Sequence, residues 1–227
     1  MFPTSKEAID VAKMLATPTS IKSSDENFLK QEFMRYIKNE DLSMIEFFVE
    51  NSLVVLHDDY VDENSEDDEK FLSAFHYAVE INCNSLICLY LLKNIKNIDV
   101  INCYQESYLH ILSKKPFYLN CIKYILENEE LVASEINHQD RWGQTALHVA
   151  LKKSGNFEIV KYLLKKGADS TIHDDEGTNP FFIAIDTKNY DAIKLFVEMY
   201  PELIEDLNSD RKTPLEMFLL ALKYNPS

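Results

Sequence analysis

Residues 140–174 read DRWGQTALHVALKKSGNFEIVKYLLKKGADSTIHD, and each part of this stretch has a conformational meaning. An Asp-x-x-Gly turn comes first, with Gly143 placed where the backbone needs a positive φ or a close approach. Thr145 follows, and its hydroxyl can accept from the orphan N–H groups at a helix start. After the Thr-x-Leu-His step a short second helix ends in Leu163-Leu164, and Gly167 can close it in a left-handed conformation. The order is turn, helix, helix, stop, and none of these residues performs bond chemistry.

The Leu-His step recurs. It appears as Phe75-His76, Leu109-His110 and Leu147-His148, then as Phe181-Phe182 and Leu215-Glu216. The second residues stand at 76, 110, 148, 182 and 216, intervals of 34, 38, 34 and 34. A helix-turn-helix at this interval marks a solenoid, in which no unit buries its apolar face without a neighbour. Thr213 is placed to cap like Thr145, Pro180 and Pro214 suit a first helical turn, and Gly177 repeats the role of Gly143. His76, His110 and His148 fit as hydrogen-bonding residues of the helix starts, ahead of any role as ligand or base. The second helices carry apolar stripes, at Leu86-Ile87-x-Leu89-x-Leu91-Leu92, Ile122-x-x-Ile125-Leu126 and Ile193-x-Leu195-Phe196-Val197, read as core.

On these motifs the chain resembles the ankyrin repeat family, whose period is about 33 residues. The likeness covers residues 71–222, and 26–50 more loosely. It implies an all-α fold, an ankyrin-repeat solenoid of stacked helix-turn-helix units with short β-hairpin-like connections and divergent capping units. Gln105, Arg211 and Phe71 stand where the family prefers glycine, so each must adopt another turn or bear strain.

Working outward, residues 1–25 form an N-terminal extension with a short helix over 5–16 capped by Ser5. Residues 26–38 and 41–50 read as a helix pair, the N-terminal cap, within a segment 26–57. Residues 58–70 form an acidic loop: of the twelve residues 58–69, eight are acidic (Asp58, Asp59, Asp62, Glu63, Glu66, Asp67, Asp68 and Glu69). That loop is either a solvated insertion or a contact element for a basic protein, and Ser65 before Glu66-Asp67-Asp68 resembles an acid-directed kinase site. Repeats with a C-terminal cap fill 71–227, giving one continuous domain over 26–227 and six units with both caps, the last of them possessing one full helix to about Tyr224. The 38-residue interval puts about four extra residues near 128–135, and Pro116 lies between the helices of that unit.

Composition narrows the function. With 38 acidic against 23 basic residues the formal charge is −15, which opposes binding to nucleic acid or an anionic membrane through phosphate neutralisation. No apolar run reaches the roughly 18 residues of a membrane span, and Lys6, Glu7, Asp10 and Lys13 interrupt any signal-like start. The cysteines, 83, 88, 103 and 121, lie in or beside predicted helices without zinc-like spacing, which suits a reduced cytoplasmic or nuclear setting. There is no phosphate-cradling glycine loop, nucleophile elbow or His-Glu-x-x-His. His138 and His173 occupy equivalent hairpins about 10 Å apart, too far to share a metal, so no metal and no cofactor is expected.

The resemblance implies a non-catalytic protein-protein interaction module (an adaptor, inhibitor or assembly scaffold, acting as a monomer) with no small-molecule substrate. The alternative is a secreted pathogen effector that engages a host protein in the host cytosol; an enzyme with its site in residues 1–70 is the competing class. In this family partners meet the hairpin tips and the exposed side of the first helices. Carried onto this sequence, those positions are Tyr104, Glu106, Arg141, Trp142, Gln144, Lys152, Lys153, Asp175, Glu176, Thr178, Ser209, Asp210 and Lys212. Trp142, the only tryptophan, is read at a turn pointing away from the stack. It is either an anchor with Arg141 and Tyr104, since hot spots favour such residues, or a structural plug against a neighbouring hairpin. Asn137, after Leu131, Glu135 and Ile136, resembles asparagines hydroxylated in such hairpins, or is simply a hairpin asparagine.

Overall fold

Short polar residues start nearly every helix of this protein. A computed structural model describes residues 23–54, 56, 60–61, 71–95, 101–128 and 136–224. The helix expected over 5–16, the carboxylates at 58, 59 and 62–69, Ser65, and the extra residues expected before 136 lie outside the described residues. The chain divides into two compact units, Met1–Val100 and Ile101–Ser227, which share the span 26–227 between them.

In the first unit, α1 (Ser23–Lys38) begins three residues earlier than the sequence indicates, and α2 (Leu42–Glu50) is capped by Asp41, whose carboxylate accepts from the Met44 N–H at 3.2 Å. Phe33 and Phe48 stack at 5.7 Å between ring centres, with Ile37, Met44 and Ile45 buried around them. Helix α3 (Ala74–Glu80) is capped by Ser73, and α4 (Ser85–Asn94) by Asn84. The two pairs are joined by a 2.8 Å bond from the Asn84 N–H to the Glu40 carboxylate. Ahead of α3, two short strands, β1 (Tyr60–Val61) and β2 (Phe71–Leu72), pair antiparallel, with Tyr60 opposite Leu72. Phe71 therefore sits in a strand rather than at a glycine-like turn position. It is not among the residues with positive φ, and it bears none of the strain expected of it.

The second unit repeats one design. A first helix and a second helix make each pair: α5 (Tyr108–Leu112) with α6 (Leu119–Glu127), α7 (Ala146–Leu151) with α8 (Phe157–Lys165), and α9 (Pro180–Asp186) with α10 (Tyr190–Met199). A final helix, α11 (Pro214–Tyr224), follows. First helices stack on first helices, α5 on α7 on α9 on α11, and α6, α8 and α10 stack likewise. Tyr108, Leu109, Leu147, Ala150, Phe182 and Ala184 are fully or almost fully buried along the first layer, and Ile122, Ile125, Val160, Leu163 and Phe196 along the second. Each large apolar side chain so buried stabilises the stack by about 1.5–3 kcal/mol. Pro116 opens a 3-10 turn (Pro116–Tyr118) that carries α5 into α6, and the Asn156 amide reaches the Ser113 carbonyl at 2.7 Å to tie adjacent connections together.

The apolar stripes are not core throughout. Leu86 is 67% exposed and Val197 42% exposed, while Ile193 and Leu195 are only half-buried. On α10 the buried positions are Ala192 and Phe196, because four-residue spacing, not mere adjacency in a run, keeps a side chain on the inner face. Cys103 is likewise corrected. It lies exposed on a hairpin, whereas Cys83, Cys88 and Cys121 are buried.

Four hairpins precede the first helices of this unit. Their turns place Gln105, Gly143, Gly177 and Arg211 at φ values of 58, 71, 72 and 58°. Gln105 and Arg211 thus accept the left-handed conformation instead of changing the turn, at a cost of about 1–2 kcal/mol each. Replacing Gln105 by glycine relieves that strain but adds the backbone entropy of glycine. The net expectation is a stabilisation of about 0.5–1 kcal/mol, read as a rise of a few degrees in the melting temperature. An unchanged or lower melting temperature would mean the side chain earns its place by contacts.

Candidate functional site

Each hairpin is clamped by one Asn or Asp. The Oδ1 atoms of Asn102, Asp140, Asp174 and Asn208 each accept two backbone N–H groups, from the residues two and four further on, at 2.9–3.1 Å. Asn serves as well as Asp because only one oxygen is used. The carbonyl of the same residue accepts from the residue three on, at 2.8–2.9 Å, which closes the turn. A signal for all four lay in the sequence, since positions 102, 140, 174 and 208 keep the repeat's own intervals.

Neighbouring hairpins are then joined at their tips. The Arg141 N–H donates to the Tyr104 carbonyl and the Asp175 N–H to the Trp142 carbonyl, both at 3.0 Å. Below the tips, His110 and His148 close each layer. The Nδ1 of His110 accepts from the Ser107 backbone N–H at 3.2 Å, and that of His148 from the Thr145 N–H at 3.1 Å. A ring nitrogen that accepts cannot carry the proton, so Nε2 does. His110 Nε2 donates to the Gln144 carbonyl at 2.8 Å, and His148 Nε2 to the Thr178 carbonyl at 3.2 Å. Burial pushes both imidazoles below the usual histidine range, His148 to about 4. The carboxylate of Asp174 acts the other way on His148 and is outweighed.

At the tips the side chains form a layered group. Trp142 lies on Tyr104 with ring centres 5.7 Å apart and planes at 21°. The Arg141 guanidinium sits 5.7 Å from the Tyr104 ring centre and 5.5 Å from that of Trp142. Trp142 therefore packs one face on the neighbouring hairpin while 45% of the residue stays exposed. It does not point away from the stack.

The other expected surface residues fall into groups. Asp175, Glu176, Ser209, Asp210, Lys152 and Lys153 are exposed, and Gln144, Thr178 and Lys212 are partly so. Lys212 is paired with Asp210 at 3.2 Å, and Lys152 lies 3.8 Å from the buried Asp174. Glu106 is a correction. It is only 5% exposed and held at 2.7 Å by Lys114, with Asn102 donating to it as well, so its carboxylate is turned into its own unit. Asn137 is exposed, and its side-chain oxygen accepts from the Asp169 N–H at 2.9 Å. The two hairpin histidines keep separate company, His138 Nε2 at 2.9 Å from the Gln105 carbonyl and His173 Nε2 at 3.8 Å from Asp206. Among the described residues, no group of His, Cys, Asp and Glu has the arrangement of a metal site, and no helix is long and apolar enough to cross a membrane.

The family model for ankyrin repeats matches residues 109–211, in three copies. The chain carries ankyrin repeats. Among its relatives are ankyrin repeat proteins of Acanthamoeba polyphaga mimivirus, 33% identical over 103 residues, and of Rickettsia bellii, 36% identical over 77 residues. A fowlpox virus ankyrin repeat protein is 27% identical over 162 residues. These alignments take in 40%, 33% and 60% of this chain, and 14%, 45% and 27% of the respective relatives, so the chain spans less than half of each. Ankyrin repeats indicate a protein-protein interaction module.

Proposed function

We propose that this ankyrin-repeat protein binds a partner protein through the tips and inner helices of residues 101–227, acting as an adaptor, inhibitor or assembly scaffold without catalysing a reaction. The observation that carries this reading is the Tyr104-Trp142-Arg141 group. A large aromatic side chain is left half-exposed on a rigid platform, and Trp, Tyr and Arg are the residues in which binding energy concentrates. Asp175, Glu176, Lys153 and Ser209 extend the surface on the exposed side. Gln144 and Thr178 border it with partly exposed side chains, their backbone carbonyls being taken up by the histidines. The acidic stretch 58–69 is retained as a second contact element for a basic partner, on its charge alone.

Capture from the source cell tests this directly. A Tyr104→Ala/Trp142→Ala variant is expected to lose the partner held by the native chain, with at least about 2 kcal/mol lost in calorimetry of the purified pair, the size of a hot spot. Folding should suffer far less, by about 0.5–1.5 kcal/mol for one aromatic stack. Equal retention of the partner by variant and native chain would discard the surface.

A further inference from the structure

The charges at the tips are satisfied unevenly. Lys114 is paired with Glu106, Lys152 approaches Asp174, and Lys212 meets Asp210. Arg141, on the second of the four hairpins, is exposed and has no carboxylate partner among the described residues. Its guanidinium rests near the Tyr104 and Trp142 rings, a contact that leaves the N–H edge of the fork available. On the next hairpin the carboxylates of Asp175 and Glu176 are exposed and hold no cation among the described residues. The hydrogen bonds of both residues run through their backbone N–H groups, to Trp142 and Asp174. Two adjacent tips thus present one free cation, an aromatic face, and then two free anions. Elsewhere on the hairpins the exposed acid Asp210 is neutralised from within its own turn.

We propose, building on the binding surface inferred above, that this site takes an extended peptide segment of mixed charge. A carboxylate of that segment would sit on Arg141, an apolar residue over the open face of Trp142, and a lysine or arginine against Asp175 and Glu176. The spacing follows from geometry. Stacked helical layers lie about 10 Å apart, and an extended chain rises about 3.3 Å per residue. The acid and the base of the ligand are therefore three residues apart. The guanidinium can bind a carboxylate through two parallel hydrogen bonds, and its place beside the rings holds it ready to do so. A segment with the same composition but like charges at those positions would meet one repulsive tip, so the pattern discriminates as well as attracts. Nucleic acid meets only the Arg141 half of this arrangement and is repelled by the other.

The test is a selection of randomised twelve-residue peptides, displayed on phage, against the full chain. Parallel selections use Arg141→Glu, Asp175→Lys/Glu176→Lys and Trp142→Ala. The native chain is expected to enrich peptides with an acid and a base three residues apart around an apolar residue. Those peptides should bind Arg141→Glu and Asp175→Lys/Glu176→Lys at least ten-fold more weakly, and each variant should enrich the opposite charge at its altered position. Enriched peptides without the charge pair, or with undiminished binding to both charge variants, would overturn the assignment, as would a selection on the native chain that enriches nothing. Peptides that lack the pattern yet fail on Trp142→Ala would leave the tip surface standing and remove only its charge preference. Peptides indifferent to Trp142→Ala as well would remove both.

Discussion

Lowering the pH from 7.5 to 5 should destabilise this protein by about 2 kcal/mol through His148 alone. The folded imidazole is held down to about 4 by burial, against 6.5 when free. Above pH 6.5 both folded and unfolded chains carry it neutral, and the full stability is present. As the pH falls from 6.5 towards 4 the unfolded chain takes up a proton that the folded chain refuses, so stability drains across that window. By pH 4 the loss approaches 3 kcal/mol, at about 1.4 kcal/mol for each pH unit. His110 works in the same direction, for the same reason of burial. Burial is the main cost of the charge, and the neutral ring is the form whose Nδ1 accepts from the Thr145 N–H. Urea unfolding of native chain and His148→Ala at pH 7.5, 6.5, 5.5 and 5 checks this. The variant should be weaker by about 2–3 kcal/mol at pH 7.5, since it strands the buried Thr145 N–H and the part-buried Thr178 carbonyl, and its stability should fall less steeply with acid. Parallel slopes for the two proteins would sink the assignment.

The other large effect is expected at Gly143. A Cβ there would lie 2.8 Å from the Asp175 backbone nitrogen and 2.8 Å from its Oδ1, and 3.2 Å from the Asp174 carbonyl carbon. Backbone cannot yield as a flexible side chain can, so Gly143→Ala must push the next hairpin away. It would break the bond from the Asp175 N–H to the Trp142 carbonyl. Conformational strain of about 1–2 kcal/mol and a lost hydrogen bond of about 1 kcal/mol together predict a destabilisation near 3 kcal/mol. Gly177 provides the control, because its φ of 72° nearly equals the 71° of Gly143 while its Cβ would meet Ser209 Cβ at 3.3 Å and, at ordinary contact, Ser209 Cα at 3.9 Å. Gly177→Ala should therefore cost the conformational part alone, about 1–2 kcal/mol. Equal losses in the two variants, by thermal or urea melts, would show that tip-to-tip packing adds nothing. Because the broken bond lies beside Trp142 and the new Cβ presses on the Asp175 side chain, Gly143→Ala should also weaken partner binding.

Much of this architecture is legible in the chain because its determinants are local. Thr145 with His148, Pro180 and Gly167 each act within one turn of their own position, and the intervals between Leu-His steps count the layers before any packing is known. The surface is less legible. Tyr104 and Trp142 stand 38 positions apart, and no rule of local spacing shows that their rings stack. Glu106 looks like a tip residue by alignment, but Lys114, from the end of its own first helix, draws it inside. Leu86 and Val197 sit in apolar runs that read as core, yet the rotation of their helices turns them to solvent.

What the sequence determined by itself is the unit: the turn, the two helices, their caps, and the period with which they return. Those features depend on backbone conformation and on hydrogen bonds a few residues long, which nearest neighbours encode. Tertiary structure alone decided which tips join, which charges are neutralised and which stay exposed and unpaired. That division has a physical cause. Pairing between hairpins depends on distances set by the packing of whole layers, and one layer's side chains carry no record of where the next layer's atoms will lie.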